Sequence, residues 1–324
     1  MNLDELAKHL SSTERIGLDS DLAAKVGVAD ADVTRGRLLA QTDGIRGHLQ
    51  VRLLGCFVVD DTDMFGDGEI YWWSIPAVVD REGTVSKDPL SGLPTGMAPH
   101  KCGDQEWMTN LSLNDPPLLA VIRPGDEPAS CVVRLGIYDD DRDPADIPGA
   151  VRAGIEAFAA LSEGPMKGAD NIINPVRDAI NAHVKAQDDD ILIDQDIVIR
   201  KGDVVRFNAG MIGSVINSMA RAYYTVLDTE RTQRFGPVTL HKGQTEQVKF
   251  DAPITAGGRL AIFARGHDVS CPSFGDLTFD QPFVNRVVSR SKEPELHNGF
   301  PIIGTGPAKL VAYYTPSYAA EEYG

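Results

Sequence analysis

Carboxylates are the residues whose type and spacing could do chemistry in this chain, and they are placed unevenly. Three windows, DDTDMFGDGE (Asp60 to Glu69), DDDRDPAD (Asp139 to Asp146) and DDDILIDQD (Asp188 to Asp196), hold five acids each. Arg142 is the one base among them, so the windows carry −14 of the chain's formal −16. Packed carboxylates repel, raise one another's pKa or splay into water. A hard cation removes that repulsion: calcium takes roughly six to eight oxygen ligands at about 2.3–2.6 Å and tolerates irregular geometry. The competing expectation is solvated acidic turns, because Asp favours turns for its own hydrogen-bonding reasons. Gly66, Gly68 and the D-x-D spacings suit tight ligand-bearing loops and favour metal. The candidate ligands are Asp60, Asp61, Asp63, Asp67 and Glu69, then Asp139, Asp140, Asp141 and Asp143, then Asp188, Asp189 and Asp190. None forms an EF-hand: counting from Asp61, Gly66 falls at the turn position, but the twelfth residue is Trp72 and not Glu.

Other chemistry is sparse. There is no G-x-S-x-G elbow, no H-E-x-x-H and no Walker A loop, and GTGPAK at Gly304 lacks the third Gly of a nucleotide loop. His100, Cys102 and Glu106, with His267, Asp268 and Cys271, offer soft ligands for zinc. They fall in different predicted modules and read better as loop residues and buried thiols. The four cysteines show no C-x-x-C and read as structural thiols. Ile70 to Trp73, IYWW, reads as core rather than as a stacking face. The acids would also suit two-metal hydrolysis, the alternative function, but no His or Lys for proton transfer lies inside the windows.

The elements that must position these acids are mostly strands. HLQVRLLGCFVVDD, EIYWWSIPAVVD, EWMTNLSLND and SCVVRLGIYDDD are short runs of Val, Ile, Leu and aromatics bounded by Gly, Pro and Asp. Strands resume in DILIDQDIVIRKGDVVRFNAG and, after an ambiguous GMIGSVINSMARA, in YYTVLD, GPVTLHKG, EQVKFDAPI, RLAIFARG, GDLTFD and KLVAYYTP. Between them, Val151, Ile155 and Phe158, then Ile173, Val176, Ile180 and Val184, recur at helical steps and predict two helices. EGPMKGADN is the loop that separates them.

These segments resemble a C2-type calcium-binding sandwich. FVVDDTDMFGDGEIYWW is similar to that family's first acidic top loop, VVRLGIYDDDRD to its D-x-D loop, and DDDILIDQDIVI to the acidic entry of the next strand. The resemblance covers about 48–206 and implies ligands at Asp61, Asp63, Asp67, Asp139, Asp141 and Asp189 or Asp190. The helical segment is then an insertion in the second calcium loop. The family's membrane role is less well implied, because no lysine-rich strand and no pair of apolar loop tips is present.

The expected protein is therefore mainly β: a helical leader over 1–46, an acidic-loop C2-like sandwich over 47–210 with a helical insertion near 148–187, and a second sandwich over 211–324 without calcium. A length of 324 residues suits two such units. The expected function is non-enzymatic calcium binding that orders a surface for a protein or lipid partner. A charge of −16 disfavours nucleic acid. Without a secretory signal or an apolar span, the expected location is cytoplasmic, with leaderless export as the exception.

Overall fold

The computed structural model describes residues 49–61, 68–85, 95–122, 128–140, 147–161, 168–185, 190–200, 210–241, 243–251, 259–266, 275–278, 299–303 and 308–316. The expected leader over 1–46 lies outside the described residues. In chain order the elements are β1 (Leu49–Val58), β2 (Gly68–Asp80), β3 (Thr95–Cys102), β4 (Glu106–Trp107), β5 (Leu118–Ile122) and β6 (Pro128–Asp139). Two helices follow, α1 (Ile147–Leu161) and α2 (Asp170–Lys185). Then come β7 (Asp190–Arg200), β8 (Met211–Ile216), β9 (Ala220–Asp228), β10 (Gln233–Leu240), β11 (Thr245–Lys249), β12 (Arg259–Gly266), β13 (Gly275–Thr278), β14 (Gly299–Ile303) and β15 (Ala308–Thr315). The fold is mainly β and antiparallel, with the helical pair inserted where the 3.6-residue periodicity placed it.

A central sheet runs β4-β1-β9-β8, with β5 also on β1. A second runs β3-β2-β6-β7 and a third β10-β15-β12-β13. The central sheet is buried on both faces, and β1 shows how. Leu49, Val51, Leu53, Cys56 and Val58 join Ile70, Trp72, Val133, Leu135, Ile137 and Ile193 in the core shared with the second sheet. Leu54 and Phe57 instead join Phe263, Val311 and Tyr313 in the core shared with the third. Strict alternation would not send 53 and 56 to one side. The register shift between Leu53 and Gly55 supplies the extra residue that lets it happen. A strand buried on both faces reads as a dense apolar run, as LLGCFV does at the end of LQVRLLGCFV.

β9 lies C-terminal to the expected module boundary at 210/211, yet it pairs with β1 from Leu49↔Asp228 to Val58↔Ala220. The later strands thus use the far face of the first module's sheet as one wall of their core. The ambiguous GMIGSVINSMARA forms β8 and the turn into β9. Asn217 Oδ1 accepts the Met219 and Ala220 N–H groups at 2.8 and 2.9 Å, an Asx turn. Its Nδ2 donates to the Leu192 carbonyl of β7 at 2.5 Å, tying the two sheets at that edge.

EWMTNLSLND was expected as one strand and supplies only the two residues of β4. Met108, Leu111 and Leu113 are still buried, but Ser112 Oγ accepts the Asn114 and Asp115 N–H groups, and this local bonding replaces a ladder. On the outer side of the second sheet, α2 buries Ile172, Ile173, Val176 and Ile180. Its Asn181 Oδ1 accepts the Tyr138 hydroxyl at 2.7 Å. Tyr138 stacks on Tyr71 and Trp73, so the IYWW run is core, as its apolar character implied.

Candidate metal centre

The acidic windows meet at one end of the second sheet and its neighbour. Asp60 and Asp61 follow β1, Gly68 and Glu69 open β2, Asp139 and Asp140 end β6, and Asp190 opens β7. Antiparallel pairing requires this convergence within the second sheet, because β6 must finish where β2 and β7 begin, and a hydrogen bond from Gly68 brings the end of β1 to the same place. Ile70 lies opposite Asp139, and Asp139 opposite Asp190. The Asp140 N–H donates to the Glu69 carbonyl at 3.1 Å.

Gly68 is the hinge of the arrangement. Its N–H donates to Asp61 Oδ2 at 3.1 Å. The two carboxylate oxygens of Asp139 stand 2.6 and 2.7 Å from the point a β-carbon on Gly68 would occupy. Two acids from windows far apart in sequence therefore rest against one glycine, and any side chain there would displace the second. Asp61 and Asp139 are 1% and 0% exposed and Asp140 is 4%, which removes the water that ordinarily screens such charges.

On the other side of Asp61 stands Asp104, in the turn between β3 and β4. Its Oδ1 accepts the Asp61 N–H at 2.8 Å. One carboxylate oxygen each from Asp60, Asp61 and Asp104 lie within 4.8 Å of one another. The turn is held by Gln105, whose backbone has φ 57° and whose Nε2 donates to the Val59 carbonyl at 2.5 Å. Asp104 is a lone acid outside the dense windows. Its one signal in the sequence is the turn chemistry of CGDQE after a strand, which a search for clustered acids passes over.

Of the candidate ligands, Asp60, Asp61, Glu69, Asp139, Asp140 and Asp190 gather at this end. Glu69 is also 3.7 Å from Lys101. Asp63, Asp67, Asp141, Asp143, Asp188 and Asp189 lie outside the described residues. The third window divides. Asp194 and Asp196 turn to the outer face of the sheet, where Asp196 grips Arg134 through two bonds of 2.6 and 3.0 Å and Asp194 adds one of 3.2 Å. Burial opposes the Arg134 charge, yet its bonds and charges from Asp196 and Asp194 hold its pKa above the ordinary value.

The zinc alternative is not assembled by its first group. His100 Nε2 lies 3.1 Å from Thr109 Oγ1, and Glu106 Oε2 accepts the Gly103 N–H at 3.4 Å. Cys102 is buried against its own neighbouring carbonyl. His267, Asp268 and Cys271 lie outside the described residues. Cys56 and Cys131 are buried thiols whose pKa values burial pushes up, that of Cys131 to about 12.

No protein-family model matches the chain, and no curated protein matches it in sequence. Among solved structures, two of human GIVD cytosolic phospholipase A2 in complex with methyl gamma-linolenyl fluorophosphonate, one of them with terbium chloride, are matched at 9% identity. The matches cover 86% of this chain and 35% of the other, with TM-scores of 0.26 and 0.27. The chain thus spans about a third of the length of those proteins.

Proposed function

We propose that this protein binds calcium at the acidic end where β1, β2, the β3–β4 turn, β6 and β7 meet, and that the ion orders the adjoining loops into a surface for another macromolecule. The observation that carries the reading is Gly68 held between the buried carboxylates of Asp61 and Asp139. The donor set fits a hard cation. Asp60, Asp61 and Asp104 offer carboxylate oxygens within one ion's reach, and Asp139 and Asp140 lie just beyond Gly68. All-oxygen sets suit calcium or magnesium, and an irregular set drawn from loops suits calcium better than the near-octahedral demand of magnesium.

Calorimetric titration with calcium tests the reading, together with thermal melts in calcium and in EDTA. A ligand that binds only the folded state raises its stability by mass action, so calcium should lift Tm by several degrees and EDTA should reverse the change. Asp61→Asn and Asp139→Asn should each abolish the heat. Heat that survives both substitutions, or no heat at millimolar calcium, would sink the proposal. Sedimentation with phosphatidylserine vesicles, with and without calcium, asks whether the ordered surface takes lipid. Calcium binding without co-sedimentation points to a protein partner.

A further inference from the structure

One group of cations is left unexplained by the acidic end. Arg265, near the end of β12, is 8% exposed, and burial lowers its pKa. It bonds the Met108 carbonyl at 3.4 Å, a long contact for a guanidinium that carries about five donors. The ion pairs among the described residues leave it out. Its partner across the sheet, in register, is Lys309 of β15, so two cations share a face with no acid between them. That face looks toward the central sheet, as Phe263 and Val311 on the same two strands show.

A third cation borders the same place. Arg221 of β9 stands 6.0 Å over the Phe57 ring and is hydrogen-bonded to the Tyr223 side chain, while its Nε is buried without a hydrogen-bond partner. Phe57 and Phe263 both meet Trp107 edge-on, at 5.3 and 5.8 Å between centroids, so Arg221 borders the aromatic cluster, and Arg265 reaches the carbonyl of Met108 next to Trp107. Glu106, the acid nearest in sequence to Trp107, is exposed and bonds the Gly103 N–H. In a chain of −16, acids are plentiful, yet the ion pairs among the described residues include neither Arg265 nor Lys309.

We propose that Arg265, with Lys309 opposite it on β15, holds a small oxyanion, the carboxylate or phosphate group of a soluble molecule. A buried guanidinium is costly unless an anion answers it, and the exposed Lys309 opposite Arg265 offers that anion a second positive group at the rim. The guanidinium fork fits two oxygens of such a group. The protein's own negative charge repels extended anionic partners such as a membrane, and so favours a small free anion.

The test uses the full chain in EDTA, so that the outcome is independent of calcium. Sodium phosphate and sodium acetate are compared with sodium chloride at matched ionic strength. One or both oxyanions should raise Tm by roughly 2–4 °C near saturation, and chloride should not. Arg265→Met should lose this response and melt no lower than the parent in chloride, since the buried charge is gone. Lys309→Gln should need several-fold more anion for the same shift. The proposal is overturned if oxyanion and chloride act alike on the parent or if Arg265→Met keeps the response. It is equally overturned if Arg265→Met melts well below the parent in chloride, which would mark the arginine as a structural donor. Should that variant not fold, an unchanged response in Lys309→Gln is decisive against it. Phosphatidylserine vesicles under the same conditions should not bind, and vesicle binding would reject the soluble source.

Discussion

At the scale of single residues, Gly68 decides more than any acid around it. Replacing it by Ala places a methyl group where the Asp139 carboxylate stands, and the strand pairing on both sides leaves the backbone little room to yield. Gly68→Ala should cost about 1–3 kcal/mol in urea unfolding, as overpacking usually does, and should weaken calcium at least about tenfold by calorimetry. The buried thiols give a second expectation. Cys56, Cys102 and Cys131 should resist an aromatic disulfide reagent in the folded protein and react on unfolding, which a Cys271→Ser background reads cleanly. The Cys131 thiol keeps its proton to about 12 when folded, whereas the unfolded chain releases it near the ordinary value of 9.0. Above that lower value the unfolded state binds fewer protons than the native one, so stability falls as pH rises. Urea melts from about pH 8 to 10.5 should show that slope, and Cys131→Ala should reduce it, the buried Cys56 thiol supplying a share of the same sign.

Among the elements, what could be read in advance depended on how each strand is buried. β1, β2 and β6 are buried over most of their length and show as dense apolar runs with acids at their ends, which is why the strands and the acids that border them could be read in advance. The helices were legible because Ile173, Val176 and Ile180 repeat at turn spacing and are buried. β3 was not: TGMAPHKC holds Gly, Pro and Lys and pairs on β2 without an apolar pattern of its own. β8 was ambiguous because Gly213 dilutes it, and that glycine exists because the Tyr224 ring fills the space of a side chain. Asp104 was invisible for the same reason, a contribution made by tertiary position alone. The turn after β8 is testable by itself. Asn217→Ala removes two backbone acceptor contacts and the link to Leu192, and should cost about 1–3 kcal/mol in chemical unfolding.

For the whole molecule, the central sheet makes the early and late parts of the chain interdependent. A fragment of 47–210 lacks β9, which supplies the hydrogen bonds along one side of β1 and the residues Ala220, Ala222, Tyr224 and Val226 of the first core. It should fail to fold by circular dichroism and proteolysis, whereas a fragment that continues through β9 restores the missing ladder. Phe263→Ala, in the second core, should cost about 3–5 kcal/mol and lower the melting of the acidic end with it, as one transition. The irregularity between Leu53 and Gly55 has a further consequence for this layered plan. It takes up one residue of β1, so that everything downstream stays in register with β9. Deleting Leu54 would therefore iron the bulge out: Cys56 and Val58 would still stand opposite Ala222 and Ala220, the acids beyond them would keep their bearing on Gly68, and the loss would fall on the second core, which gives up one buried leucine.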